Sequence, residues 1–273
     1  MNEIQLMQGD CLELMKDIPD GFVDLTVTSP PYDNLRTYNG NIDQWCFEKF
    51  QAIARELYRI TKRGGVVVWV VGDATVKGSE TGTSFRQALY FKECGFNIHD
   101  TMIWEKDSFS YPDVSRYRAC FEYMFVFSKG RPATVNLIAD RKNKYAGTVV
   151  HGTNRLPDGT TFRKSNDKKS NVAEFGVRFN VWKIPGEKNN TSGHPAVFPE
   201  QLAQDHILSW SNPGDVVFDP FLGSGTTAKM SVLNNRRFIG MELDPGYFEI
   251  AEKRITRGAK SKTRRTFGGC AAR

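Results

Sequence analysis

Short apolar runs alternate along the chain with segments whose apolar residues recur at helical spacing. Residues 4–10 read as a strand ending in Gln8-Gly9-Asp10, residues 11–18 as a helix closed by Pro19-Asp20-Gly21, and residues 22–28 as a buried strand. That strand must stop at Ser29-Pro30-Pro31, because two prolines cannot continue a central ladder. Trp45, Phe47, Phe50, Ile53, Ala54, Leu57 and Ile60 mark one face of a helix over residues 42–61, which stops at Lys62-Arg63-Gly64-Gly65. Residues 66–71 follow as a continuous apolar strand, residues 84–94 as a helix capped by Gly95, and residues 98–104 and 123–128 as further strands. Strands without polar alternation, separated by helices, predict an α/β fold with a doubly wound, mostly parallel sheet.

The periodicity fails over residues 131–190, where Gly, Asn, Lys, Asp and Thr dominate around one apolar run at 179–184. A loop-rich insertion is expected there. Regular pattern returns as a helix at 199–210, a strand at 216–219, a helix at 226–233, a strand at 237–242 and a helix at 245–256. Residues 1–130 and 191–257 thus read as two halves of one domain around the insertion, and the polar, basic residues 258–273 as a disordered tail.

Composition adds boundaries. With 273 residues, 40% apolar and 12% aromatic, the chain is that of a globular protein with one sizeable core. It has no apolar run long enough for a membrane helix and no basic-then-apolar leader pattern, so a cytoplasmic protein is expected. The cysteines Cys11, Cys46, Cys94, Cys120 and Cys270 are scattered and never spaced Cys-x-x-Cys. They suggest neither a disulfide framework nor a metal site, and are read as reduced and mostly packing residues. The net charge of +6 is compatible with a polyanionic partner. Its distribution is more telling: between Arg131 and Lys188 twelve Lys or Arg stand against five acids, and after Glu252 there are eight basic residues and no acid.

The candidate chemistry lies where strands end. Asp219-Pro220-Phe221-Leu222-Gly223-Ser224-Gly225 follows a strand and opens a helix with Thr226, a setting in which glycines let a ligand approach the backbone. A tight turn without a ligand would use the same residues. Two features favour a ligand. Glu242 ends the next strand, where a carboxylate can accept hydrogen bonds from ribose hydroxyls, although a solvated strand end is the plainer reading of it. Gly225 is followed by Thr-Thr rather than Lys-Ser or Lys-Thr, so the phosphate-binding loop pattern is not met. A nucleoside without a triphosphate fits, and S-adenosylmethionine is such a ligand.

With these residues in view, the chain resembles the S-adenosylmethionine-dependent DNA amino-methyltransferases over nearly everything except the insertion and the tail. The resemblance is carried by His194-Pro195-Ala196-Val197-Phe198-Pro199, by residues 218–227, and by Phe238-Ile239-Gly240-Met241-Glu242-Leu243. It implies that His194 and Phe198 line the methionine side of the cofactor, that Asp219, Pro220, Phe221, Gly223, Ser224, Gly225 and Thr226 form the cofactor turn, and that Glu242 and Leu243 clamp the ribose. Asp10, with Cys11 beside it, matches the segment near the cofactor adenine. The fold implied is a Rossmann-like methyltransferase fold, circularly permuted, and no metal is expected.

Thr28-Ser29-Pro30-Pro31-Tyr32 is the catalytic candidate. Methylating an exocyclic amine needs no covalent nucleophile. It needs acceptors that hold the amino protons while the nitrogen lone pair is aligned with the sulfonium methyl. Ser29 and the Pro30 carbonyl suit this, Pro30 and Pro31 fix the turn, and Tyr32 offers a face to a base extruded from the duplex. A Pro-rich turn after a strand is the plainer reading of the same tetrapeptide. In the family, Ser in the first position accompanies N4-cytosine more often than N6-adenine, so N4-cytosine is favoured and N6-adenine stays the alternative. Methylation at cytosine C5 is disfavoured, because no cysteine follows a proline in a suitable turn. The order, catalytic motif first and cofactor turn late, is the β-type order of DNA enzymes rather than that of protein or RNA amino-methyltransferases. A catalytically idle DNA-binding protein would be expected to show decayed motifs.

Double-stranded DNA is the expected partner. Arg36 lies in the loop after the catalytic motif. Arg116 and Arg118 lie in a segment resembling motifs around the base pocket and could contact phosphate while Glu122 orients the loop; a plain salt bridge among the three is the alternative. Arg141, Lys142, Lys144, Arg163, Lys164, Lys168 and Lys169 of the insertion are candidates for backbone contacts, and the insertion as a whole for target recognition. The resemblance implies a bacterial, archaeal or phage source and a restriction-modification or epigenetic role. It leaves open a homodimer and a cognate restriction endonuclease.

Overall fold

Val66 through Val71 forms the second part of a strand, β3 (Thr61–Val71), buried on both faces in the middle of an eight-stranded sheet. The computed structural model describes residues 4–31, 45–111, 114–149, 153–163, 171–186 and 199–268. The chain divides into two units, Met1–Asn136 with Asn180–Arg273, and Leu137–Phe179.

In the first unit the described elements are β1 (Ile4–Gln8), α1 (Cys11–Leu14) with a 3-10 turn at Met15–Asp17, β2 (Val23–Thr28), α2 (Phe47–Ile60), β3, the small hairpin β4 (Thr75–Val76) and β5 (Ser79–Glu80), α3 (Thr83–Glu93), β6 (Asn97–Ser110) and β7 (Ala119–Ser128). The second unit holds β8 (Arg141–Lys142), β9 (Thr153–Arg155), β10 (Thr161–Arg163) and β11 (Phe175–Gly176). The first unit resumes with β12 (Val181–Lys183), α4 (Glu200–Trp210), β13 (Val216–Asp219), α5 (Thr226–Leu233), β14 (Arg237–Glu242) and α6 (Pro245–Gly268).

The large sheet has the order β1-β14-β13-β2-β3-β7-β6-β12. Every neighbouring pair is parallel except β3 with β7 and β7 with β6, so β7 alone runs against the rest. Alternate residues of β3 divide between two cores, as the two-residue period of a strand requires. Val66, Val68 and Val70 join Leu202, Ile207, Ala228 and Ala251 of α4, α5 and α6. Val67, Trp69 and Val71 join Cys11, Phe50, Leu57 and Phe91 of α1, α2 and α3. This is the doubly wound arrangement expected from the apolar runs and the Rossmann-like fold that the resemblance implies.

The element ends depart from expectation for identifiable reasons. β3 starts at Thr61 rather than residue 66, because the Gly64-Gly65 pair stays in the sheet: Gly64 has φ +86, and a Cβ on Gly65 would meet the Asp24 carbonyl at 3.0 Å. β6 and β7 reach beyond 98–104 and 123–128, since their outer ends carry Glu105, Lys106, Asp107 and Glu122, which an apolar-run criterion misses. α6 continues to Gly268 where a disordered tail is expected. The stretch is rich in Lys and Arg, good helix formers, and holds no proline.

The insertion is narrower than residues 131–190 by its bonding. Ala133 donates to Gly64 (2.9 Å), Asn136 donates to Ser209 (2.8 Å), and β12 pairs with β6, so these flanks belong to the sheet unit. Within Leu137–Phe179, β8 pairs with β11 and β9 with β10, both antiparallel. Cys11 is buried, whereas Cys46 is exposed and Cys94 and Cys120 half-buried, so packing describes the first better than the others. Among the described residues no cluster of His, Cys, Asp and Glu gathers as metal ligands would, and no helix is long and apolar enough to cross a membrane.

Candidate active site

The parallel strands β1, β14, β13 and β2 end side by side, and the candidate motifs occupy those ends. Gln8 pairs with Glu242 across β1 and β14, and the Gly9 N–H then donates to the Glu242 carbonyl at 2.9 Å. Asp10, the next residue, caps α1 by accepting from the Leu12 N–H (2.9 Å) and forms an ion pair with Lys49 of α2 (2.9 Å). Burial raises its pKa, but Lys49 and the Leu12 N–H outweigh burial and hold it below the usual Asp value. Burial, and secondarily the charge of Asp10, push the Cys11 thiol up to about 12, which makes it a packing group rather than a nucleophile.

Asp219 ends β13 and is buried. Its Oδ1 accepts from the Thr28 hydroxyl at 2.6 Å and from the Phe221 N–H at 3.0 Å. Burial raises its pKa to about 7, against the lowering effect of Thr28, Phe221 and Thr227 and with a further push from the charge of Glu242. Because β2 lies beside β13, the Thr28 hydrogen bond sets Ser29 and Pro30 next to the Gly-rich turn. Ser29 and Pro31 are half-buried, and Pro30 is buried.

Residues 220–225 turn tightly from β13 into α5. The Leu222 N–H donates to the Met241 carbonyl (2.8 Å) and the Gly225 N–H to the Leu222 carbonyl (2.9 Å). Gly223 and Gly225 have φ of +51 and +79, and a Cβ on Gly225 would sit 3.1 Å from that of Ala251. No side chain caps the start of α5. Glu242 spans the turn: Oε2 accepts from the Gly223 N–H (2.7 Å) and Oε1 from the Asp244 N–H (2.9 Å). Burial raises its pKa, against those two hydrogen bonds. Leu243 is exposed beside it, and Phe221 meets Trp45 edge-on at 5.5 Å.

The remaining cofactor candidates differ in what they can offer. The side chains of Ser224 and Thr226 are held by Arg254 of α6, which donates to Ser224 Oγ (2.9 Å) and Thr226 Oγ1 (3.0 Å) and pairs with Glu200 of α4 (2.7 Å). Lys229 also reaches Glu200 (2.6 Å). Accepting from Arg254 fixes the hydroxyls of Ser224 and Thr226 in place. Sequence reasoning did not single out Lys49, Arg254, Glu200 or Trp45 as parts of the site. Their roles depend on which helix packs under which strand end, and no local spacing records that.

Of the DNA-contact candidates, Arg116 donates to the Gly78 carbonyl and lies 3.6 Å from Glu80, so it ties the segment before β7 to the β4–β5 hairpin. Arg118 stacks over Phe109 at 4.5 Å and reaches Tyr111 at 5.7 Å. Glu122 pairs with Lys106 at 2.9 Å, a partner outside the expected group of Arg116, Arg118 and Glu122. Arg141 covers Phe179 (4.5 Å) and donates to the Val177 carbonyl (3.1 Å), a bracing role inside the second unit, while Lys142 and Lys144 are exposed. Tyr32, Arg36, Lys164, Lys168, Lys169, His194 and Phe198 lie outside the described residues, as does the side chain of Arg163.

The strand ends bring together a glycine turn, two carboxylates and an uncapped helix start, one strand away from a Ser-Pro-Pro turn. A family profile described as DNA methylase, of the N6/N4 methyltransferase type, matches residues 23–253. The orphan methyltransferase M.BamHII of Bacillus amyloliquefaciens is 60% identical over 250 residues, covering 89% of this chain and 92% of that protein. The DNA adenine methyltransferase YhdJ of Escherichia coli K12 is 27% identical, covering 92% and 82%. Among solved structures, the PvuII DNA methyltransferase (cytosine-N4-specific) superposes with a TM-score of 0.69 at 21% identity, covering 95% of this chain and 91% of that one. The Thermus thermophilus protein TTHA0409, named as a DNA modification methylase and complexed with S-adenosyl-L-methionine, superposes with a TM-score of 0.63 at 26% identity, covering 94% and 96%. Strand-end geometry and kinship agree, and the chain belongs to the N6/N4 family of DNA methylases.

Proposed function

We propose that this chain transfers the methyl group of S-adenosylmethionine to the exocyclic N4 amine of a cytosine flipped out of duplex DNA. The observation that carries the reading is the 2.6 Å hydrogen bond from Thr28 to Asp219, which joins the Ser-Pro-Pro turn to the Gly-rich turn. In this reading the backbone of residues 221–225 receives the amino-acid end of the cofactor, Glu242 the ribose hydroxyls, and Asp10 with Cys11 the adenine side. Ser29 and the Pro30 carbonyl accept the amino protons of the base, so that its nitrogen presents a lone pair to the methyl group. Bound there, S-adenosylmethionine would supply the methyl group and be left as the thioether, while the proton lost by the amine would pass to solvent.

The choice of N4-cytosine rests on Ser29 at the head of the tetrapeptide. N6-adenine is the second reading, favoured by the likeness to YhdJ, a DNA adenine methyltransferase. Duplex DNA methylated by the purified chain and digested to nucleosides separates them: N4-methylcytosine is the expected product, and N6-methyladenine alone overturns the choice. The basic insertion is proposed to supply target recognition and salt-dependent affinity. A second copy of the chain and a cognate restriction endonuclease are proposed partners. Light scattering of the purified chain tests the first, and a restriction assay in the host the second.

A further inference from the structure

Beyond the methyl-transfer residues, one part of the sheet overhangs the edge where they lie. β3 ends at Val71 opposite Tyr123 of β7, yet β7 begins at Ala119 and pairs on with β6 as far as Ser110. The β6–β7 ribbon thus continues past the end of β3 by residues 119–122, about 13 Å at strand rise. Two-stranded ribbons of this width enter DNA grooves.

The ribbon's end is apolar and aromatic where a monomeric surface is ordinarily polar. Val114 is 92% exposed and Tyr117 99%, and Phe109, Tyr111 and Phe121 are exposed as well. The segment is held in place all the same. Arg116 bonds to the Gly78 carbonyl of the β4–β5 hairpin, and Arg118 lies over the rings of Phe109 and Tyr111. Tyr117, between two tethered arginines, projects into solvent.

We propose that this ribbon is a DNA-inserting arm and that the ring of Tyr117 stacks among the bases beside the target, occupying the space a flipped nucleotide leaves. The inference rests on the DNA-methylating reading above. Position argues for duplex DNA rather than a protein partner: the ribbon rises from the same sheet edge as Ser29, in a chain of the DNA methylase family, and between Phe109 and Phe121 two arginines stand against the single acid Asp113. Aromatic rings stack on bases of any sequence, and filling the gap offsets the unstacking that extrusion costs. Arg116 and Arg118 then act by holding Tyr117 at the tip.

The test compares the full chain with Tyr117→Ala and Tyr117→Phe on two duplexes carrying its mapped methylation site. One is fully paired, and the other has an abasic site opposite the target base. Tyr117→Ala is expected to lose about tenfold to hundredfold in kcat/KM on the paired duplex. It should regain most of this on the abasic duplex, where extrusion is already easy, with Tyr117→Phe near wild type and S-adenosylmethionine affinity unchanged. Equal losses on both duplexes would assign Tyr117 a structural role and overturn the arm. So would an unchanged Tyr117→Ala, or a loss that tracks dissociation of a dimer. A wild-type chain that methylates neither duplex overturns the reading beneath it, which keeps the two failures distinct.

Discussion

The hydroxyl of Thr28 donates to the carboxyl of Asp219 across 191 positions of sequence, and both side chains are buried. This hydrogen bond joins the strand end that leads into the Ser-Pro-Pro turn to the one that leads into the Gly-rich turn. Thr28→Val keeps the shape and removes the donor, so the buried acid loses a partner. A loss of about 1–3 kcal/mol is expected in urea unfolding, with lowered methyl transfer. Thr28→Ser should retain most of both.

Asp219 also gives stability a pH dependence of definite sign. Its folded pKa, about 7, is above the 3.8 of the free group, so the folded state holds this proton more tightly than the unfolded state does. Its contribution is full below about pH 4 and declines as pH rises through 7. Asp10 and Glu200 have lowered pKa values and act in the opposite sense. The difference between wild type and Asp219→Asn therefore isolates the effect. Melting temperatures of the cofactor-free proteins should show wild type losing ground to the variant from pH 4 to pH 7. A constant difference would refute the assignment.

Glu242 accepts from two backbone N–H groups, and an amide cannot do so at both oxygens. Glu242→Gln turns an NH₂ toward one N–H donor in either orientation. Titration calorimetry with S-adenosylmethionine should show affinity reduced by about tenfold in Glu242→Gln and more in Glu242→Ala.

Arg254 ties α6 to Ser224 and Thr226 at the turn and to Glu200 on α4. Arg254→Met preserves much of the packing and leaves the buried hydroxyls of Ser224 and Thr226 short of a partner. About 1–3 kcal/mol of stability should be lost. Cofactor affinity should fall as well, although in the proposed site Arg254 touches no part of the cofactor.

Ser29→Ala tests the proposed amine-holding role. A fall of about 100-fold in methyl transfer is expected with S-adenosylmethionine affinity unchanged. Unaltered turnover would remove Ser29 from the chemistry.

Much of this was legible in the sequence. The alternation of valine runs with helical periods specified the sheet and its two covering layers, because strands buried on both faces leave an unmixed apolar signature. Residues 216–219, 226–233 and 237–242 fall on β13, α5 and β14 as expected. What stayed hidden were long-range pairings between polar side chains. Arg116 and Arg141, plausible phosphate contacts by charge alone, spend their guanidinium groups on the protein's own carbonyls. Lys49 became visible as a partner of Asp10 only when α2 was placed beside α1. The outer ends of β6 and β7 were missed because a ribbon that leaves the sheet has no core to face and shows no apolar run.

The sheet order has a consequence for the making of the protein. Among the described residues β1 pairs in the sheet with β14 alone, and the Gly9 to Glu242 hydrogen bond closes that seam. During synthesis the Ser-Pro-Pro turn emerges early, while Asp10 waits for a partner strand translated more than two hundred residues later. A nascent or C-terminally truncated chain therefore displays the Ser-Pro-Pro turn without Glu242 and Arg254, and the proposed site is complete only once β14 and the start of α6 have both been made.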